Sequence, residues 1–121
     1  MPGQTILVVD DSPTERRIMS APLNGQGYQI HTATDGEEAL SKVADIRPDL
    51  ILLDIILPKK NGYQVCRQLK SAPATKDIKI VLVSSKNQES DRFWGMKQGA
   101  DDYLFKPFSD RELLDCVAKY V

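Results

Sequence analysis

Short runs of branched aliphatic residues constrain the fold of this chain more than any other sequence feature. Three of them, Thr5–Asp10 (TILVVD), Leu50–Asp54 (LILLD) and Ile80–Ser84 (IVLVS), are nearly continuous Val, Ile and Leu. This pattern is typical of parallel strands that helices cover on both faces of a sheet. Gln29–Ala33 and Asp102–Phe105 are two further strand-like runs, so we predict a sheet of five strands.

The segments between these runs are long enough for crossover helices, and short oxygen side chains mark where three of the helices begin. Ser12, Asp35 and Ser109 are each followed by a glutamate three residues later, which is the spacing of a capping box. Pro22 lies inside the first helical segment, where we expect it to kink the helix or to end it early. Residues 1–121 are predicted to form one α/β domain, a (βα)5 doubly wound parallel sheet. We adopt the strand order 2-1-3-4-5, which is common in such sheets.

Composition excludes several classes of function. The 16 Lys and Arg balance 17 Asp and Glu, which gives a net charge of −1 and argues against nucleic-acid binding. The longest apolar runs have the length of strands, and the N-terminus lacks the pattern of a secretory signal. We therefore expect a cytoplasmic protein that does not enter the membrane. The spacing of Cys66 and Cys116 is not that of metal ligands, so we expect both to be packing residues of helices.

Polar residues follow or end four of the five predicted strands at their carboxyl ends. Asp10 and Asp11 belong to the first strand end, Asp54 to the third, Ser84 to the fourth, and Lys106 to the fifth. Ligand sites in open parallel sheets lie at the carboxyl ends of the strands. In the adopted order the first and third strands are neighbours, so their carboxylates are expected to converge.

This predicted cluster favours one kind of chemistry. Three carboxylates in a small cleft repel each other strongly unless a cation lies among them. Oxygen ligands without histidine or cysteine favour Mg²⁺, or Mn²⁺, over zinc. Lys106 supplies a positive charge and Ser84 a hydroxyl donor for the oxygens of a phosphoryl group. An aspartate in line with that group is a nucleophile, so these residues predict a magnesium-dependent site that accepts a phosphoryl group on aspartate.

The chain also matches a known family pattern, in which the acceptor aspartate is followed by proline and glycine at the spacing of Asp54, Pro58 and Gly62. The matching segments are ILVVDDS (Ile6–Ser12), LILLDIILPKKNG (Leu50–Gly62), IVLVSS (Ile80–Ser85) and DYLFKPF (Asp102–Phe108). On these residues the whole chain resembles the receiver domain of response regulators, of the stand-alone CheY-like kind. The resemblance implies a flavodoxin-like fold with the strand order adopted above.

The resemblance implies a role for each polar residue around the acceptor. Asp54 is implied to be the phosphoacceptor, Lys106 the lysine that binds the phosphoryl group, and Ser84 the hydroxyl that responds to it. Tyr103 takes the position of the aromatic switch residue. In the family the peptide bond before the proline that follows the lysine is commonly cis, so we expect a cis bond between Lys106 and Pro107.

A metal site is part of the same resemblance. Asp11 is implied to bind Mg²⁺ directly and Asp10 through water, while Asp54 and the backbone carbonyl of Ile56 complete the protein ligands. No organic cofactor is expected. Some family members carry a polar residue at the position of Ile56, where it assists the water that attacks the phosphoryl group. The apolar side chain therefore predicts slow self-dephosphorylation.

The implied function is that of a two-component response regulator in a phosphorelay. A histidine kinase or a phosphotransfer domain is the implied donor, with acetyl phosphate as a small-molecule substitute, and the protein is not a turnover enzyme. Phosphorylation is implied to change the affinity of the face formed by the fourth helix, the fifth strand and the fifth helix for an unknown downstream protein. We expect a monomer, and because the sequence stops at Val121 we expect no output domain.

Two segments suggest a narrower resemblance. Ser12–Glu15 and Asp91–Tyr103 are similar to the corresponding segments of PilH-type regulators of type IV pilus twitching motility or phototaxis. The second segment holds Phe93 and Trp94, two adjacent residues of the predicted fourth helix that cannot both point inward. We expect Phe93 to cover the sheet and either Trp94 or Arg92 to lie on the surface that faces a partner.

Other functions are compatible with this fold. The protein could be a phosphate sink for a shared kinase, or an interaction module that is no longer phosphorylated. A flavodoxin that binds FMN needs a loop rich in glycine and hydroxyl groups after the first strand, whereas Asp10 and Asp11 repel phosphate when no metal is present. A phosphatase of the haloacid dehalogenase type has a second aspartate two residues after its nucleophile, a position that Ile56 occupies here.

Overall fold

The structure is a computed structural model that describes residues 3–121, in which five strands alternate with five helices. The strands are β1 (Thr5–Val9), β2 (Gln29–Ala33), β3 (Leu50–Asp54), β4 (Lys79–Ser84) and β5 (Asp102–Phe105). The helices are α1 (Pro13–Gly25), α2 (Gly36–Ile46), α3 (Gly62–Ser71), α4 (Glu89–Lys97) and α5 (Asp110–Ala118). The predicted (βα)5 alternation is confirmed, and only the end of β1 and the start of β4 differ from the prediction, each by one residue.

All the strands are parallel and lie in the order β2-β1-β3-β4-β5, as predicted. Side chains of each strand point alternately to two faces, and each face is buried under helices. Leu7, Leu53 and Leu82 belong to the cluster that packs with α2, α3 and the β5 residue Tyr103. On the other face, Val8 packs in the cluster that includes α1 and α5. The Val, Ile and Leu residues of the three runs are therefore completely buried, because both faces of these strands contact helices.

The helix starts follow the predicted caps, but two of the three capping boxes are incomplete. Ser109 and Glu112 form a complete capping box, whereas at Ser12 and Asp35 only the first half is present. The Asp35 carboxylate accepts the Glu38 amide, but Glu38 turns to the amide and hydroxyl of Thr34. The caps still satisfy donors that would otherwise be unpaired at the helix N-termini.

Pro22 does not end α1 early, so that part of the prediction was wrong. The helix continues to Gly25, and Leu23, directly after the proline, is fully buried together with Met19. Burial of a large aliphatic side chain is worth about 2 kcal/mol or more, which offsets much of the cost of a proline inside a helix. Gly27, two residues beyond the helix, has a φ of 90°, a left-handed conformation that glycine adopts without strain.

None of the helices in residues 3–121 has both the length and the apolar character needed to cross a bilayer. Cys66 and Cys116 are buried in α3 and α5 as free thiols, as predicted. Burial raises the pKa of both thiols to about 11, so they remain protonated at neutral pH.

Candidate functional site

The three predicted carboxylates meet at the carboxyl edge of the sheet because β1 and β3 are neighbours. Asp10 and Asp11 follow the end of β1, and Asp54 is the last residue of β3. One ligand oxygen from each lies within 4.8 Å of the others. Asp10 is 1% exposed and Asp54 8% exposed, whereas Asp11 is open to solvent. This oxygen-only donor set, with one open side, fits the ligand preference of Mg²⁺.

Lys106 reaches this cluster from the end of β5. Its Nζ lies 2.8 Å from Oδ2 of Asp10 and 3.8 Å from Oδ2 of Asp54. The backbone places it there, because the Lys106 amide donates to the Ser84 carbonyl at 2.9 Å. The peptide bond between Lys106 and Pro107 is cis, as the family resemblance implied. A cation therefore faces both buried carboxylates from one side.

The charges of the cluster shift the pKa of both Asp54 and Lys106. Burial and, to a smaller extent, the negative charge of Asp10 raise the pKa of Asp54 to about 6, although Lys106 and the amides of Ile55 and Ile56 oppose the rise. Burial disfavours the Lys106 ammonium, but the hydrogen bond to Asp10 and the charge of Asp54 outweigh it, so the pKa of Lys106 is raised. The metal-free site thus contains more negative charge than one lysine balances.

Two residues that sequence reasoning missed help to hold this cluster. The Arg16 guanidinium donates to the Asp10 carbonyl at 2.8 Å, and the Glu15 carboxylate lies 4.0 Å from Lys106. The Ser12 amide also donates to the Asp10 carboxylate, at 3.0 Å. Both missed residues lie in the first turn of α1. A signal for them existed, since a helix that begins directly after the acidic pair must direct its first turn toward it.

The predicted switch residues Ser84 and Tyr103 lie next to each other beneath the loop between β4 and α4. Ser84 is 1% exposed, and its hydroxyl accepts the Lys86 amide at 3.2 Å. The Tyr103 ring is turned inward, with its hydroxyl donating to the Lys86 carbonyl at 2.7 Å. Burial raises the pKa of Tyr103 to about 12, with the Ser84 hydrogen bond acting in the opposite direction. Both side chains thus contact the same loop residue.

At two places around the loop between β3 and α3, backbone segments lie so close together that only glycine fits. A Cβ at Gly62 would lie 2.3 Å from the Asp54 carbonyl oxygen, and one at Gly36 would lie 2.1 Å from the Lys60 carbonyl oxygen. The Gly62 amide donates to the Ile55 carbonyl at 2.8 Å. In this loop the Ile56 side chain lies two residues after the acceptor and is 60% exposed. The loop therefore fixes Asp54 while leaving Ile56 open to solvent.

The expectation that Phe93 covers the sheet was wrong. Phe93 is 60% exposed, and the only fully buried residue of α4 is Gly95. A Cβ at Gly95 would lie 2.8 Å from a Leu82 methyl carbon and 3.1 Å from the Tyr103 ring, so the helix backbone itself lies against the sheet. Phe93, which is two residues away on the helix, points to solvent, where the Lys97 ammonium lies 5.3 Å from its ring centroid.

Comparisons with known proteins agree on one family. The family model described as the response regulator receiver domain matches residues 6–118. Protein PilH of Pseudomonas aeruginosa is 41% identical over 112 residues, which cover 93% of this chain and 93% of that protein. Protein PilG of the same organism is 40% identical over 119 residues, covering 98% of this chain and 88% of that protein. The chain spans only 45% to 47% of several other curated relatives.

Solved structures give the same answer for the fold. The chemotaxis response regulator CheY4 of Vibrio cholerae superposes with a TM-score of 0.92 at 29% identity, covering 98% of this chain and 99% of that one. Sequence and structure comparisons therefore reach the same family from separate directions.

Proposed function

The chain belongs to the response regulator receiver domain family, and on that premise we propose that Asp54 accepts a phosphoryl group from a histidine kinase or a phosphotransfer domain. One observation carries the proposal. Asp54 shares a cluster with Asp10 and Asp11, in which ligand oxygens lie within 4.8 Å of one another, and Lys106 lies 3.8 Å from Asp54. This cluster combines a nucleophile, a cation-binding oxygen set and a fixed positive charge.

In the proposed transfer, a carboxylate oxygen of Asp54 attacks phosphorus, the P–N bond of the donor phosphohistidine breaks, and the imidazole leaves with the electron pair. With acetyl phosphate a P–O bond breaks and acetate leaves. Asp54, with its pKa raised to about 6, is still mostly ionised at neutral pH and can attack. Lys106 and Ser84 donate hydrogen bonds to the phosphoryl oxygens.

Mg²⁺ is the cation that we propose for this site, held by Asp11, by Asp10 through water, by Asp54 and by the Ile56 carbonyl. When bound, the ion screens the repulsion among the carboxylates and neutralises charge on the phosphoryl group. The buried Asp10 and the exposed Asp11 suit these two roles, because Asp11 faces the open side of the cluster.

The proposed output is a change on the face formed by α4, β5 and α5. Ser84 and Tyr103 both contact the loop that leads into α4, so a phosphoryl group that draws Ser84 toward Asp54 disturbs that loop. The helix contacts the sheet mainly through Gly95, and few buried side chains oppose a shift of α4. A helix with so few buried contacts is suited to move between two positions.

The pathway that we propose is motility or taxis signalling in the cytoplasm, with residues 1–121 acting as one monomeric receiver domain. Similarity to PilH and PilG, and to a chemotaxis regulator of known structure, supports this assignment. The downstream partner is a protein rather than a nucleic acid, since the net charge is −1. A phosphate sink for a shared kinase is the second candidate, and the lifetime of the phosphoryl group distinguishes the two.

Phosphorylation is tested by intact mass spectrometry after incubation with acetyl phosphate. We expect one phosphoryl group on the natural protein with Mg²⁺ present and none after chelation. Asp54→Asn is expected to stay unlabelled under both conditions. An adduct that survives in Asp54→Asn would contradict the assignment of the acceptor, and an adduct that forms equally in chelator would contradict the role of Mg²⁺.

Ile56→Asn is expected to shorten the lifetime of the phosphorylated protein by roughly tenfold or more, because an amide beside the acceptor can orient the attacking water. Loss of the adduct is followed by mass after the donor is removed. Ile56→Val keeps an apolar side chain and serves as the control, with an unchanged lifetime. A half-life of seconds in the natural protein would contradict slow self-dephosphorylation and favour the phosphate sink.

The protein donor is expected to dock over a groove of about 380 Å³ beside the cluster. Its lining residues are Glu15, Ile18, Ser85, Lys106, Pro107 and Phe108. Ile18 of α1 is 44% exposed, which offers an apolar contact next to the acceptor site. A donor protein needs such a contact to align its histidine, whereas acetyl phosphate does not.

Ile18→Lys is therefore expected to slow transfer from a histidine kinase that phosphorylates the natural protein by about tenfold, since an apolar contact worth more than 1 kcal/mol is lost. Labelling by acetyl phosphate is expected to remain unchanged. Asn24→Lys adds the same charge at an exposed position outside the groove lining and serves as the control. Equal slowing by both variants, or equal loss with acetyl phosphate, would contradict docking at this groove.

A further inference from the structure

A second groove lies between α3 and α4, away from the acidic cluster, and has a volume of about 220 Å³. It is lined by Asn61, Tyr63, Gln64, Arg67, Trp94 and Gln98. Trp94 is the single tryptophan of the chain and is 56% exposed. An indole ring this exposed is not part of the core, so one wall of the groove is an apolar ring open to solvent.

The groove is on the opposite flank of α4 from the face proposed above to change on phosphorylation. Arg92 marks the flank toward β5, because its guanidinium lies 3.5 Å from the Asp102 carboxylate and 3.4 Å from the Tyr103 carbonyl. Trp94 and Gln98 face α3 instead, where they line the groove with Tyr63. The two surfaces are therefore separated by the helix.

Several polar groups of the groove already have partners within the protein. Asn61 and Gln64 bind each other's backbone amides in the capping box of α3, at 2.9 and 3.0 Å. The Tyr63 hydroxyl donates to the Asp91 carbonyl at 3.4 Å, and the Gln98 amide donates to the Trp94 carbonyl at 3.4 Å. These bonds occupy the side-chain oxygens of Asn61 and Gln64 and leave their NH2 groups without a partner among residues 3–121.

Arg67 is the one charged residue of the groove lining. Among residues 3–121 no carboxylate oxygen lies within 4.0 Å of its guanidinium nitrogens, and no acidic side chain is part of the groove lining. The groove thus combines an aromatic wall with an exposed cation that has no counter-ion. Arginine and tryptophan are the residue types most enriched at the energetic centres of protein interfaces.

From this combination we propose that the groove binds an acidic segment of a partner protein that carries one large apolar side chain. The apolar side chain lies against Trp94 and Tyr63, and a carboxylate of the segment pairs with Arg67. At about 220 Å³ the groove is smaller than the usual range for small-molecule sites, about 300 to 1,000 Å³, which favours one anchoring side chain over a cofactor. The charge of a single arginine favours an acidic peptide over a nucleic acid, which needs a basic patch.

The experiment is a selection of random short peptides, displayed on phage, against the immobilised protein. We expect the enriched peptides to contain Asp or Glu beside Trp, Phe or Leu. Fluorescently labelled copies are then titrated with the protein and followed by anisotropy, while Trp94 emission is recorded separately and is expected to shift to shorter wavelength on binding. Trp94→Ala and Arg67→Glu are each expected to weaken binding by about tenfold or more.

Phe93→Ala is the matched control, because Phe93 is an aromatic residue of the same helix with similar exposure that does not line the groove. It is expected to leave the affinity unchanged. The proposal is overturned if no acidic-apolar peptide is enriched, if Phe93→Ala weakens binding as much as Trp94→Ala, or if Arg67→Glu binds the same peptides equally well. Labelling by acetyl phosphate does not involve the groove, so failure here is distinguishable from failure of the proposed phosphorylation.

Discussion

Gly62→Ala is expected to lower the free energy of unfolding by roughly 3 kcal/mol, the upper part of the range for overpacking a filled site. A Cβ at this position would lie 2.3 Å from the Asp54 carbonyl oxygen and 2.8 Å from the Ile55 Cα. Both are backbone atoms at the end of the central strand β3, so neither can swing aside as a flexible side chain would. The start of α3 must therefore move away from the sheet, which also lengthens the bond between the Gly62 amide and the Ile55 carbonyl.

Chemical denaturation of Gly62→Ala beside Gly25→Ala tests this expectation. Gly25 is the last residue of α1, and a Cβ there meets no atom within 4 Å, so the same change is expected to stabilise the protein by about 0.5 to 1 kcal/mol. Because Gly62 also fixes the acceptor, its variant is further expected to take up less phosphoryl group from acetyl phosphate. A loss of less than about 0.5 kcal/mol in Gly62→Ala would show that the loop can relax, and would contradict the close packing described here.

The fold could be predicted from the sequence because both faces of its central strands are buried. The runs at Thr5–Asp10, Leu50–Asp54 and Ile80–Ser84 leave little alternative to a parallel sheet covered by helices on each side. The order of the strands could not be predicted in the same way, because nothing in the hydrophobic pattern shows which strands are neighbours in the sheet. That order was taken from common five-stranded sheets, and the convergence of Asp10 with Asp54 depended on it.

The details that could not be predicted are those that depend on how closely two elements approach. Phe93 was expected to cover the sheet because aromatic side chains usually do, but the contact of Gly95 with Leu82 and Tyr103 sets the rotation of α4. Periodicity does not distinguish a helix that packs through a side chain from one that packs through its backbone. For the same reason, the close approach of Gly36 to the backbone of Lys60 could not be predicted.

Within the site, sequence reasoning identified the residue types but not which carboxylate lies closer to the positive charge of Lys106. It placed Lys106 beside a phosphoryl group, whereas in the metal-free protein the ammonium lies 2.8 Å from Asp10 and 3.8 Å from Asp54. Lys106 therefore already neutralises part of the cluster before any ligand arrives. Asp54 lies farther from Lys106 than Asp10 does, so the positive charge stabilises the Asp54 carboxylate less. This is one reason why the pKa of Asp54 remains raised.

Asp54→Asn is expected to stabilise the metal-free protein above pH 6, even though it removes the proposed acceptor. The Asp54 carboxyl has its pKa raised from 3.8 to about 6, first by burial and then by the charge of Asp10. The folded protein therefore binds this proton more tightly than the unfolded chain, and stability falls as the pH rises through the window from about 4 to about 6. A shift of about two units at about 1.4 kcal/mol each sets an upper limit of about 3 kcal/mol, and the asparagine variant escapes this cost.

The free energy of unfolding of the natural protein and of Asp54→Asn is measured in chelator between about pH 4 and 8. The quantity that tests the expectation is how the difference between the two free energies changes with pH. That difference is expected to grow in favour of Asp54→Asn up to about pH 6 and then to stay constant. Asp45→Asn removes one negative charge from an exposed position of α2 and is expected to change stability by less than about 0.5 kcal/mol. Adding Mg²⁺ is expected to stabilise the natural protein and close the gap, because the ion binds the ionised cluster. Parallel curves across the whole pH range would mean that the Asp54 carboxylate is ionised without cost, and that the charge of the cluster is already balanced without a metal.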